Sequence, residues 1–101
     1  MGLLGRILGG GSENVKELIA QGAVIVDVRS AGEFSGGHVA GSKNFPLPLD
    51  AKKEKQIMAL NKPVVFCCAS GMRSGQATSQ MKAKGLECEN GGGWMKVNGL
   101  V

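Results

Sequence analysis

The stretch Val64-Val65-Phe66-Cys67-Cys68-Ala69-Ser70-Gly71-Met72-Arg73-Ser74-Gly75 carries the fold of this chain in miniature. It starts as an unbroken apolar run, which is the signature of a strand covered on both faces. It ends in a glycine-containing loop leading into a segment whose pattern predicts a helix from about Ser74 to Lys84, closed by Gly85. Ligand sites in open parallel sheets lie at such carboxyl ends of strands. A cysteine there has backbone N–H groups turned toward its sulfur, the positive end of the helix dipole behind it, and Arg73 close by. All of these favour the thiolate. A free thiol with a pKa near 8.5 is only about 3% ionised at pH 7, so lowering it by about two units makes most of the sulfur nucleophilic.

Outward from this stretch, strands and helices alternate. Ala23 to Val28 (AVIVDV) predicts a second strand covered on both faces, preceded by a helix that Ser12 can cap and Gly22 can end, with Val15, Leu18 and Ile19 as its apolar face. Residues 29–50 are rich in turns, with a helical turn expected around Ala31 to Phe34 and a short strand at Ser42 to Phe45. Asp50 is placed to cap a lysine-rich helix that turns Ile57 and Leu60 inward. The last strand is predicted over Leu86 to Glu89, followed by Gly91-Gly92-Gly93 and a short terminal segment from Trp94 to Val101. Strands alternating with helices over this length predict an α/β fold with a parallel sheet covered on both faces.

With 101 residues the chain is the size of one small domain. Gly9-Gly10-Gly11 sets off residues 1–11 as a flexible N-terminal segment and leaves 12–101 as the domain. No apolar run approaches the roughly 20 residues of a membrane span, so no membrane is expected as a partner. The excess of 12 lysines and arginines over 8 acidic residues is dispersed, with only Lys52, Lys53 and Lys55 clustered, and these read as a solvated helix face. With no tyrosine and one tryptophan, the stacking platforms of nucleic-acid binders are missing, and the mild basicity points to small anionic substrates instead. Three cysteines without a C-x-x-C pattern and without a secretory signal read as free thiols in a reducing compartment, hence a cytoplasmic location. One histidine and no paired cysteine motif leave no basis for a metal site.

Several pieces then fall in a telling order: Asp27-Val28-Arg29 with Glu33-Phe34, Gly37-His38-Val39-Ala40-Gly41-Ser42, the loop Cys68-Ala69-Ser70-Gly71-Met72-Arg73-Ser74, and Gly92-Gly93. Over roughly Ser12 to Gly99 the chain resembles the rhodanese-like sulfurtransferases. The resemblance implies a small rhodanese-like domain in which Cys68 takes a sulfane sulfur from a donor such as thiosulfate or a persulfide. Cys68 would hold it as a persulfide and pass it to a thiol or cyanide. It implies that Ala69, Ser70, Gly71, Met72, Arg73 and Ser74 bind the substrate. No cofactor is implied; the partners are a small anionic sulfur donor, a thiol or cyanide acceptor, and a sulfur-accepting protein. The chain departs from the family at the position four residues after Gly93, often tryptophan, where it has Val97 and carries Trp94 nearer the glycines.

Two other readings compete. One is a rhodanese-type module that binds or regulates without turnover. The other is a phosphatase, because counting from Cys67 gives C-x5-R-S, the signature of tyrosine-type phosphatases. Against it, Phe66 stands where a phosphatase has histidine, and Asp27 and Asp50 sit in a strand and at a helix cap rather than on an acid loop. The period of two along a strand turns Cys67 away from Cys68, which favours a buried, inert thiol over a resolving cysteine, and Cys88 reads the same way with a resolving role as its alternative. His38 is expected to hold its own turn by hydrogen bonds. Asp27, Arg29 and Glu33 are expected to hold the fold, with the Arg29 fork pairing Glu33 or Asp27.

Overall fold

The computed structural model describes residues 12–101, so the segment expected over 1–11 and the cap expected from the Ser12 side chain lie outside the described residues. The elements run α1 (Ser12–Ala20), β1 (Val24–Asp27), α2 (Ala31–Ser35), β2 (Lys43–Asn44), α3 (Ala51–Met58), β3 (Val64–Cys68), α4 (Met72–Ala83), β4 (Cys88–Gly93) and α5 (Trp94–Asn98). The strands form a four-stranded sheet in the order β2-β1-β3-β4, and every neighbouring pair is parallel. β3 is central, pairing Val65 with Ile25 on one side and with Glu89 on the other.

The two-residue period of β3 divides the core. Val64, Phe66 and Cys68 enter one cluster with Ile57 of α3 and Ala77 and Met81 of α4. Val65 and Cys67 enter the opposite cluster with Val15 and Leu18 of α1 and Val97 of α5. Helices therefore cover both faces, as the apolar runs require, and each large side chain removed from water here contributes roughly 1.5–3 kcal/mol. Asp50 caps α3 by accepting from the Lys53 N–H at 2.9 Å, and Ile57 is fully buried beneath it. Lys53 is not part of a solvated face. Its Nζ reaches back to the carbonyl oxygens of Pro46 and Pro48, while Lys52 and Lys55 stay exposed.

Strands β1 and β2 are shorter than expected by one residue at each end, and three further differences each have a local reason. Helix α4 begins at Met72 rather than Ser74, because Gly71 at φ 108° turns the chain and its carbonyl already accepts the Gly75 N–H at 2.9 Å. The last strand is Cys88–Gly93, not Leu86–Glu89. At Gly91 nothing larger fits: a Cβ there would lie 2.6 Å from Val97 Cγ2 and 2.8 Å from Val65 Cγ1. Finally, the terminal segment forms a helix whose Val97 is fully buried, so the position that departs from the family pattern is a core contact.

Candidate functional site

Cys68 ends β3 and is fully buried, with its sulfur at the centre of the turn into α4. The Sγ accepts the Gly71 N–H at 3.0 Å, the Ser74 N–H at 3.4 Å and the Ser74 hydroxyl at 3.3 Å. Burial pushes the thiol up, but the Ser74 hydroxyl and the N–H groups of Ser74, Gly71 and Ser70 outweigh it, and the net displacement is downward. A sulfur gathered by this many donors is stabilised as an anion.

The donors are themselves positioned by a residue that sequence reasoning missed. Asn90 on β4 accepts from the Ser74 hydroxyl at 2.7 Å and from the Gly92 N–H at 2.9 Å through Oδ1, and its Nδ2 donates to the Gly71 carbonyl at 3.0 Å. One amide thus ties the end of the loop, the first turn of α4 and the edge strand together. The only signal in the sequence was a polar residue ahead of three glycines. Those glycines let the strand meet the loop backbone to backbone, since a Cβ on Gly93 would stand 2.9 Å from the Ala69 carbonyl oxygen.

The expected loop residues separate into distinct settings. Ser74 is buried against the sulfur, whereas Ala69 and Ser70 are exposed and Met72 projects with 81% of its surface open. Ser70, Gly71 and Met72 also line a cavity of about 300 Å³ shared with Gly92, Lys96 and Leu100, and Cys68 is not in that lining. Arg73 is engaged by a carboxylate. Its guanidinium does not bond the sulfur; Nη1 and Nη2 donate to the two carboxylate oxygens of Glu33 at 2.8 and 3.1 Å. The Arg73 hydrogen bonds and the Ser30 N–H hold the Glu33 carboxyl down at about 2.

Glu33 accordingly does not join Asp27 and Arg29. Arg29 instead forks onto the fully buried Asp27, with Nε at 3.0 Å from both carboxylate oxygens and Nη2 at 2.8 Å from Oδ2. Nη2 also donates to the Gly37 carbonyl at 2.6 Å, and the guanidinium lies over the Trp94 ring, 4.9 Å from its centroid. This pair fastens the loop after β1 to the start of α5. His38 donates from Nδ1 to the Phe34 carbonyl at 2.7 Å and stacks on the Phe34 ring, which holds its turn.

The remaining thiols are of a different kind from Cys68. Cys67 lies in the cluster on the other face of the sheet, and burial together with the nearby Asp27 charge pushes it up to about 12. Burial likewise pushes Cys88 up to about 11. A cradle counted from Cys67 does not exist, because the converging donors surround Cys68. Asp27 is paired and Asp50 is a cap, so neither is free to act as the acid of a phosphatase. Among the described residues, no group of three or more His, Cys, Asp or Glu is arranged to hold a metal, and no helix is long and apolar enough to cross a membrane.

Comparison with known proteins adds to this geometry. Residues 12–98 match the family described as the rhodanese-like domain. The chain is 37% identical over 81 residues to the uncharacterized protein YqhL of Bacillus subtilis (strain 168), covering 78% of this chain and 64% of that protein. It is 38% identical over 77 residues to the uncharacterized protein slr1261 of Synechocystis sp., covering 74% of this chain and 42% of that protein. The chain thus spans less than two thirds of these curated relatives. Among solved structures, it superposes on SSP1007 from Staphylococcus saprophyticus with a TM-score of 0.67 at 25% identity, covering 85% of this chain and 90% of that one. A rhodanese-like domain protein from Staphylococcus aureus aligns with a TM-score of 0.56 at 26% identity, covering 75% of this chain and 74% of that one.

Proposed function

Because the chain belongs to the rhodanese-like domain family, we propose that it is a sulfurtransferase that carries a sulfane sulfur on Cys68. The observation that carries the proposal is the set of donors converging on Cys68 Sγ from Gly71 and Ser74. The thiolate attacks the outer sulfur of a donor, the S–S bond of the donor breaks, and its electron pair leaves with the remainder as sulfite or a thiolate. Cys68 is left as a persulfide. A thiol or cyanide then attacks the outer sulfur, and the electron pair of the Cys68 S–S bond returns to Sγ, regenerating the thiolate. The same N–H groups that hold the starting thiolate receive it again, so they stabilise charge as it returns in the second step.

In this mechanism Ser74 and the amides of Ser70, Gly71 and Ser74 hold negative charge on sulfur, and Asn90 is a positioning residue acting through Ser74 and Gly71. The exposed Ala69 and Met72 form the rim that a donor passes. Intact-protein mass after exposure to thiosulfate or polysulfide tests the proposal. One added sulfur, retained in Cys67→Ser and lost in Cys68→Ser, is the expected result. No addition to the parent protein would sink it, and hydrolysis of an aryl phosphate in its place would favour the phosphatase.

A further inference from the structure

The Arg73 fork is already occupied. Glu33 meets it with both carboxylate oxygens, at 2.8 and 3.1 Å, from a position 40 residues earlier in the chain. The carboxylate does not wander into this contact. It is the N3 member of a capping box at the start of α2, where the Ser30 N–H and the Ser30 hydroxyl each donate to Oε1 at 3.1 Å while the Ser30 oxygen accepts the Glu33 N–H. Held at about 2, the carboxyl remains charged throughout the neutral range, so the pair keeps its charge there. A bidentate pair uses the two parallel N–H groups that would otherwise grip two oxygens of an oxyanion.

The two classes of donor differ in how much they need that grip. When the Cys68 thiolate attacks thiosulfate, the S–S bond breaks and its electron pair leaves with sulfite, a dianion carrying three oxygens. When it attacks a hydropersulfide, R–S–SH, the pair leaves on a single thiolate sulfur and the transferred sulfur keeps its proton. The first leaving group calls for a free guanidinium and is repelled by a neighbouring carboxylate. The second calls for neither, and the organic R group finds the open Met72 side chain at the rim, 81% exposed.

Building on the sulfurtransferase reading, we infer that Glu33 is a specificity-determining residue that masks Arg73 and turns the site toward hydropersulfide donors and away from sulfonate-type donors. The test is the ratio of kcat/KM for thiosulfate to kcat/KM for N-acetylcysteamine hydropersulfide, measured in the parent protein and in Glu33→Gln. Glutamine serves equally at N3 of a capping box, so α2 keeps its start, and a ratio does not depend on how much of the variant is folded. Releasing a partly exposed bidentate pair is expected to raise the ratio about fivefold. Glu33→Asp, which keeps the charge but falls one methylene short of the fork, should move it part of the way. In an Arg73→Gln background the Glu33→Gln change should leave the ratio where it is. An unchanged or lower ratio in Glu33→Gln, with sulfur still loading onto Cys68, overturns this inference and leaves the sulfurtransferase standing. Absence of loading from either donor in the parent protein overturns both.

Discussion

Ser74→Ala isolates the one side-chain donor on the Cys68 sulfur among the described residues. The hydroxyl has a single proton and two acceptors, Asn90 Oδ1 at 2.7 Å and Cys68 Sγ at 3.3 Å. Beside a neutral thiol the proton belongs on Asn90, and beside a thiolate it turns to the sulfur. A hydrogen bond to a charged acceptor contributes about 1.5–3 kcal/mol against about 1 kcal/mol for a neutral one, so rotation of the hydroxyl favours the thiolate by roughly 0.5–2 kcal/mol. At 1.36 kcal/mol per pKa unit, Ser74→Ala should raise the Cys68 pKa by about one unit. The assay is the pH dependence of alkylation by iodoacetamide, with intact mass identifying the site. Cys67 and Cys88, held up at about 12 and 11, stay silent at neutral pH. Asn90 keeps the Gly92 N–H at 2.9 Å, so the fold should lose only about 1 kcal/mol. Superimposable alkylation profiles for parent and variant would refute the reasoning and leave the backbone amides as sole stabilisers of the anion.

Two further substitutions test the frame around the site. Arg29→Ala strands the fully buried Asp27 carboxylate, a loss of about 3–5 kcal/mol that should lower Tm by about 12 °C or more. The folded fraction should still load sulfur on Cys68 at a near-normal rate, and a normal Tm with slow loading would move Arg29 into the site. Gly91→Ala drives a methyl to 2.6 Å from Val97 Cγ2 and 3.1 Å from the Phe66 carbonyl, an overpacking of roughly 1–3 kcal/mol readable in urea unfolding. Gly32→Ala, where a Cβ meets nothing within 4 Å, should instead be neutral or mildly stabilising, and equal effects of the two would contradict the packing described for β4.

Much of this fold is legible locally. The runs around Ile25 and Val65 announce buried strands, Asp50 announces a helix start, and Gly22 and Gly85, at φ 90° and 91°, mark where helices end. What escapes a local reading is set by contacts between distant segments. Gly91-Gly92-Gly93 looks like a loop until Val65 and Val97 press on Gly91 and the Ala69 carbonyl on Gly93, leaving no room at either for more than a hydrogen. Asn90 has no local pattern of its own, because its partners Gly71 and Ser74 lie 19 and 16 residues earlier. The strand, turn and helix order around Cys68 is legible, but the company of Arg73 is not. The carboxylate that holds it comes from α2, which follows β1, the strand beside β3 but 40 residues earlier in the chain.

The alternation of β3 leaves Cys68 without an internal thiol to rescue it. Cys67 is adjacent in sequence but faces the opposite side of the sheet. Cys88 shares the face of Cys68 yet stands in register with Val64, four residues back along the strand, or roughly 13 Å at 3.3 Å per residue. Disulfides need Cα atoms within about 7 Å and Cβ vectors that converge, so neither partner can resolve an oxidised Cys68 without dismantling the sheet. Within the sheet Cys68 stands as a single thiol without a partner sulfur. A sulfenic acid formed on Cys68 would have to be reduced by a second molecule, and until one arrived, further oxidation to sulfinic acid would be irreversible.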